Sequence, residues 1–91
     1  MKHAGKAALS KLATLVESLR AQPQLVERTP GSFYFGPRAF IHFHEDASDL
    51  YADVKEDLKS FSRHRVTTLA EQRAVAARVK QVITSHQRHD D

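Results

Sequence analysis

Ser32–Lys55, SFYFGPRAFIHFHEDASDLYADVK, decides the fold. Aromatic and β-branched residues alternate with polar ones in short runs, and turn residues punctuate them, which is the pattern of a hairpin-connected sheet. Thr29-Pro30-Gly31-Ser32 matches a type II turn: Pro presets φ at the second position and Gly accepts a positive φ at the third. Gly36-Pro37-Arg38 marks a second turn, and Glu45-Asp46-Ala47-Ser48-Asp49 a polar loop. These signals predict four strands, Leu25–Thr29, Ser32–Phe35, Ala39–Glu45 and Leu50–Lys55, in an antiparallel meander.

Strand side chains alternate, so Ala39, Ile41 and Phe43 share one face while Phe40, His42 and His44 share the other. A four-residue loop at Asp46–Asp49 pairs Glu45 with Leu50, Phe43 with Ala52 and Ile41 with Val54. The same register sets His44 against Tyr51 and His42 against Asp53. A slip of one residue would mix the faces, which a sheet with one buried side resists. A three-residue loop at Gly36–Arg38 sets Phe33 against Ile41 and Phe35 against Ala39, leaving Tyr34 beside Phe40 on the outer face.

Working outward, Ala8, Leu9, Leu12, Leu15, Val16 and Leu19 recur at helical spacing before Pro23. Thr68-Leu69-Ala70-Glu71 matches a capping box, and Leu69, Val75, Ala76, Val79, Val82 and Ile83 form the stripe of a second helix. Lys55–Val66 reads as an irregular segment anchored by Leu58 and Phe61, and the polar residues from His86 to Asp91 as a frayed tail. The expected fold is α+β, a two-layer αββββα sandwich spanning residues 1–91 as one domain. Both helices cover the Ile41/Phe43/Val54 face.

Composition narrows the function classes. The chain has 91 residues, 41% of them hydrophobic, enough for one modest core. It has no cysteine, so disulfide frameworks and thiolate chemistry are excluded. No apolar run reaches the length of about 18 residues that a membrane span needs. Lys11 and Glu17 interrupt any signal-peptide core, so a soluble cytoplasmic protein is expected. A G-x-S-x-G elbow is missing. The Gly31 to Gly36 spacing lacks the Lys and Ser/Thr of a phosphate-binding loop. The acidic residues Asp46, Asp49, Asp53, Glu56 and Asp57 lack the ligand spacing of a calcium loop. No catalytic residue and no cofactor are expected.

What remains is the outer sheet face. Tyr34, Phe40, His42, His44, Tyr51, Asp53 and Lys55 converge there, aromatics flanked by ionisable groups, as suits an interface with an apolar centre and a polar rim. The expected function is a non-catalytic interaction or ligand-binding module, with a second copy of the chain or another protein as partner. One alternative follows from the net charge of +3: nucleic-acid binding through Arg63, Arg65, Arg73, Arg78 and Lys80. A second rests on His42-Phe43-His44, whose imidazoles point the same way from one strand. With Asp53 across the hairpin they form a candidate metal-binding or hydrolytic set.

The run Phe33-Tyr34-Phe35-Gly36-Pro37-Arg38-Ala39-Phe40, then Leu50-Tyr51-Ala52-Asp53-Val54-Lys55 and a C-terminal helix, resembles the core of the small bacterial YjbR-like (MmcQ-like) proteins. The resemblance covers roughly residues 33–83. It implies a frataxin-type α-β-meander-α sandwich, a bacterial origin and a proposed DNA-binding role. Pro37 stands where that family has a small or basic residue, and His42-Phe43-His44 lies outside its pattern, so no site residue is carried over.

Overall fold

The computed structural model describes residues 1–89, with side chains through His86. It is a mixed α and β fold built on one antiparallel sheet. In chain order the elements are β1 (Lys2–His3), α1 (Lys6–Lys11), α2 (Ala13–Arg20), β2 (Leu25–Thr29), β3 (Ser32–Phe35), β4 (Arg38–Asp46), β5 (Asp49–Val54), β6 (Ser62–Arg65) and α3 (Leu69–His89). The sheet order is β2-β3-β4-β5-β6, and β1 pairs with the far end of β4. Six strands therefore stand where four were expected.

The central hairpin has the expected register throughout: Ile41 opposite Val54, His42 opposite Asp53, Phe43 opposite Ala52, His44 opposite Tyr51 and Glu45 opposite Leu50. Its loop is tighter than expected, because Asp46 and Asp49 also pair and Ala47 takes φ 53°. One face of this hairpin is core. Ile41, Phe43, Leu50, Ala52 and Val54 are buried with Phe33, with Leu12, Leu15, Val16 and Leu19 from the N-terminal helices, and with Val75, Val79, Val82 and Ile83 from α3. Each such aliphatic side chain contributes about 1.5–3 kcal/mol by leaving water.

The β3–β4 register departs from expectation. Phe33 faces Ile41, but Tyr34 then faces Ala39 and Phe35 faces Arg38. Phe40 is thus the extra residue of a β-bulge, which breaks the strict alternation. Phe40 and Ile41 both point into the core, and Phe40 is 0% exposed. Its ring meets that of Phe35 edge-on at 5.9 Å. The two-residue turn that makes room for this places Gly36 at φ 60°.

The N-terminal helix is broken. Leu12 sits between α1 and α2 at φ −103°, ψ 14°, yet it is fully buried. The Ser10 hydroxyl donates to the Ala7 carbonyl at 2.7 Å, competing with the backbone ladder just before the break. The chain then returns through Gly31, at φ 77°, where an added Cβ would lie 2.7 Å from Leu9 Cδ2. The positive φ favours glycine in this turn, and a side chain there would also have to push the Leu9 methyls aside.

Within the segment expected to be irregular, Ser62–Arg65 forms β6, pairing Asp53 with Arg63 and Tyr51 with Arg65. Its sequence, Ser-Arg-His-Arg, has no apolar alternation because it is an edge strand, and charged side chains protect such an edge. Leu58 packs against the core at φ 59°, but Phe61 lies on the outer side, 40% exposed. The capping box forms as expected: Thr68 Oγ1 accepts from the Glu71 N–H, and Glu71 Oε1 accepts from the Thr68 N–H. Leu69, expected in the stripe of α3, is 47% exposed. The helix backbone continues through His86 to His89, and the rest of the polar tail lies outside the described residues.

Candidate functional site

The outer face of β4 and β5 carries the site. The sheet register alone generates two cross-strand rows. One runs His42, Asp53, Arg63 and the other His3, His44, Tyr51, Arg65. Of the residues expected at this surface, His42, His44, Tyr51 and Asp53 are adjacent. Tyr34 lies farther along the sheet under the Arg28 guanidinium, which stands 4.3 Å from its ring centroid. Lys55 stands 4.7 Å over the ring of Phe61. Phe40 is absent from the surface because the bulge turns it into the core. Phe40 therefore adds no apolar surface to this face.

Asp53 is the pivot. It is 6% exposed, more buried than an outer-face position suggests. The Arg63 Nε and Nη2 donate to its two carboxylate oxygens at 2.7 and 2.8 Å, a bidentate pair. The guanidinium holds the Asp53 carboxyl below its ordinary range despite opposing desolvation. His44 Nε2 lies 3.2 Å and His42 Nδ1 4.0 Å from Asp53 Oδ2. Phe61 packs edge-on against His42, with centroids 4.6 Å apart. Burial pushes the His42 imidazole below its ordinary value, with Asp53 pulling the other way.

The third imidazole comes from β1. His3 stacks on His44 at 4.6 Å between centroids and lies 5.9 Å from His42. One ring nitrogen from each of His3, His42 and His44 falls within 4.8 Å of the others. The closest approach is His44 Nε2 to His42 Nδ1, at 2.9 Å. A neutral imidazole has one N–H and one bare nitrogen. His44 Nδ1 is buried with no hydrogen-bond partner among the described residues. Neither tautomer of His44 satisfies both of its nitrogens within the protein.

His3 escaped the sequence reading because a lone histidine near a chain end carries no periodic signal. Arg63 belongs to the expected basic set, but its place beside Asp53 carries no sequence signal, because β6 has no apolar alternation. The five basic residues of the nucleic-acid alternative do not lie together on one element: Arg63 and Arg65 are on β6, and Arg73, Arg78 and Lys80 on α3. Arg63 pairs with Asp53, Arg65 with Asp49 and Glu71, and Arg78 with Glu56. No ion pair among the described residues involves Arg73 or Lys80. A phosphate backbone would have to displace carboxylates from three guanidiniums, which lowers the gain from each contact.

No family model, no curated protein and no solved structure matches this chain. Among the described residues, no helix is long and apolar enough to cross a membrane.

Proposed function

We propose that this chain is a small, non-catalytic ligand-binding module whose working surface is the outer sheet face, and that its ligand is a divalent transition-metal ion. The observation that carries this reading is the convergence of His3, His42 and His44, each offering one nitrogen within 4.8 Å of the others. Imidazole nitrogens suit zinc, copper and nickel, and about 2.0–2.1 Å is the zinc–nitrogen bond length. Tetrahedral bonds of that length separate donors by roughly 3.4 Å. The three donor nitrogens lie within 4.8 Å of one another, against that target spacing. Asp53 lies beside the imidazoles, its negative charge shared with the bidentate Arg63 guanidinium.

Zinc titration of tag-free protein, followed by calorimetry and by histidine ring NMR, tests this. One ion per chain is expected, with the ring resonances of His3, His42 and His44 shifting together and those of His64 staying in place. His42→Ala should lose most of the affinity, and Asp53→Asn a smaller part. Unchanged ring resonances at saturating zinc, with no stoichiometric uptake, would refute the reading.

A further inference from the structure

The third imidazole is carried by β1, a strand separate from the hairpin that holds the other two, so filling the site has a structural consequence. β1 is two residues long, and both are exposed. Besides its short pairing with β4, the His3–His44 ring stack and the packing of Ala4 on the core, its attachments are local. The Ala4 N–H donates to the Phe43 carbonyl at 3.0 Å, and the Gly5 N–H donates to Glu45 Oε2 at 2.7 Å. Lys2 Nζ lies 3.8 Å from Glu45 Oε1, but the lysine side chain is 79% exposed, and such pairs contribute little. Ordering residues 1–5 costs backbone entropy at every position. Segments with few buried contacts are the ones that open most easily. His42 and His44, by contrast, sit on β4, whose backbone is paired with β5 at both positions.

Resting on the metal reading above, we propose that the ion is also a strap: binding to His3 closes the N-terminal strand onto β4, so that metal occupancy governs docking of residues 1–5. Two His ligands stand on β4 inside the sheet, and the third is delivered by a two-residue strand. A metal that prefers the three-ligand set therefore favours the docked state. Linkage makes this reciprocal: whatever loosens the strand weakens metal binding by the same factor. Release of β1 uncovers the edge of β4 at Phe43–Glu45, where β1 now pairs. An uncovered strand edge is a pairing surface for another extended segment.

Glu45 separates docking from coordination. It holds Lys2 and Gly5, and among the described residues it makes no hydrogen bond to any of the three imidazoles. The experiment uses tag-free, full-length protein with zinc as the probe, reading affinity by calorimetry and docking by amide hydrogen exchange at Ala4 and Gly5. At saturating zinc, exchange at these two amides should slow, relative to chelator-treated protein, by the same factor that separates the wild-type and His3→Ala zinc affinities, because undocking gives up the His3 ligand. Glu45→Ala should weaken zinc binding severalfold in the wild-type background and leave it unchanged in a His3→Ala background. Equal zinc affinity in wild type and His3→Ala, with Ala4 exchange indifferent to zinc, would overturn the strap and leave a site at His42, His44 and Asp53 intact. Absence of zinc binding by the wild type would overturn both the strap and the metal reading beneath it.

Discussion

Phe40 shows how a single inserted residue redirects a side chain. Strand alternation assigns it to the outer face with His42 and His44, and the bulge opposite Phe33 and Tyr34 sends it inward. A residue with no exposure, packed on Phe35, behaves as core. Phe40→Ala should therefore cost about 3–5 kcal/mol, as should Phe43→Ala on the regular part of the same strand. Urea denaturation compares them directly. A loss under 1 kcal/mol at Phe40 would place its ring back at the surface. Glu27 is a second informative residue. It accepts from Arg20 Nε and Nη2 and from the Gly31 N–H, tying α2 to the β2–β3 turn. The Arg20 hydrogen bond, helped by Gly31 and opposed by desolvation, holds its carboxyl below the ordinary value. The fold thus favours the ionised form. The stability this adds is complete above the unfolded value of about 4.3 and disappears as pH falls through the lower folded value. Glu27→Gln should flatten the acid limb of a stability-versus-pH curve below about pH 4.3 while lowering stability near neutrality. An unchanged acid limb would contradict the assignment.

At the scale of elements, the helix ends and turns obey local chemistry, and β6 does not. The capping box at Thr68 and Glu71 forms as the four residues predict, since both orphan N–H groups find side-chain acceptors within the first turn. Thr68→Ala should cost about 1 kcal/mol, readable as a lowered thermal midpoint. Arg65 also bonds both Glu71 oxygens, so a larger loss would show that the cap and the β6 anchor are coupled. β6 has no apolar stripe of its own. It exists because β5 offers a free edge and because Asp53, Asp49 and Glu71 receive its arginines. The same ion pairs that make the strand possible occupy Arg63 and Arg65, two of the basic side chains that favour a nucleic-acid partner in the sequence.

For the whole molecule, the fold divides into a buried face that stabilises it and an outer face that carries chemistry. Helices α1, α2 and α3 contribute to the core with the inner side chains of the sheet. The outer side keeps its histidines half-covered, under His3 and Phe61. A ligand that binds only this folded arrangement must stabilise it. Zinc at a hundredfold excess over Kd should add about 2.7 kcal/mol, raising the thermal midpoint in a manner reversed by chelator. The shift should vanish in a His42→Ala/His44→Ala double variant. Persistence of the shift there would move the ion to another place.

The α+β class, the β4–β5 register, the inner core residues and the capping box all follow from the sequence, because each depends on neighbours two to four positions apart or on a hairpin closed by a short loop. The juxtaposition of His42, His44 and Asp53 follows for the same reason. Four features come from the tertiary structure alone. The bulge at Phe40 reflects packing against Phe35 in a shared core, which overrides local alternation. The break at Leu12 follows the burial of that side chain between two short helices. β6 exists through pairing with a strand already in place. His3 joins the site across 39 residues of chain from His42, brought there by β1 docking on β4. Long-range pairing leaves no trace in local periodicity, so the sequence alone defines two imidazoles and a carboxylate, and the fold adds the third imidazole.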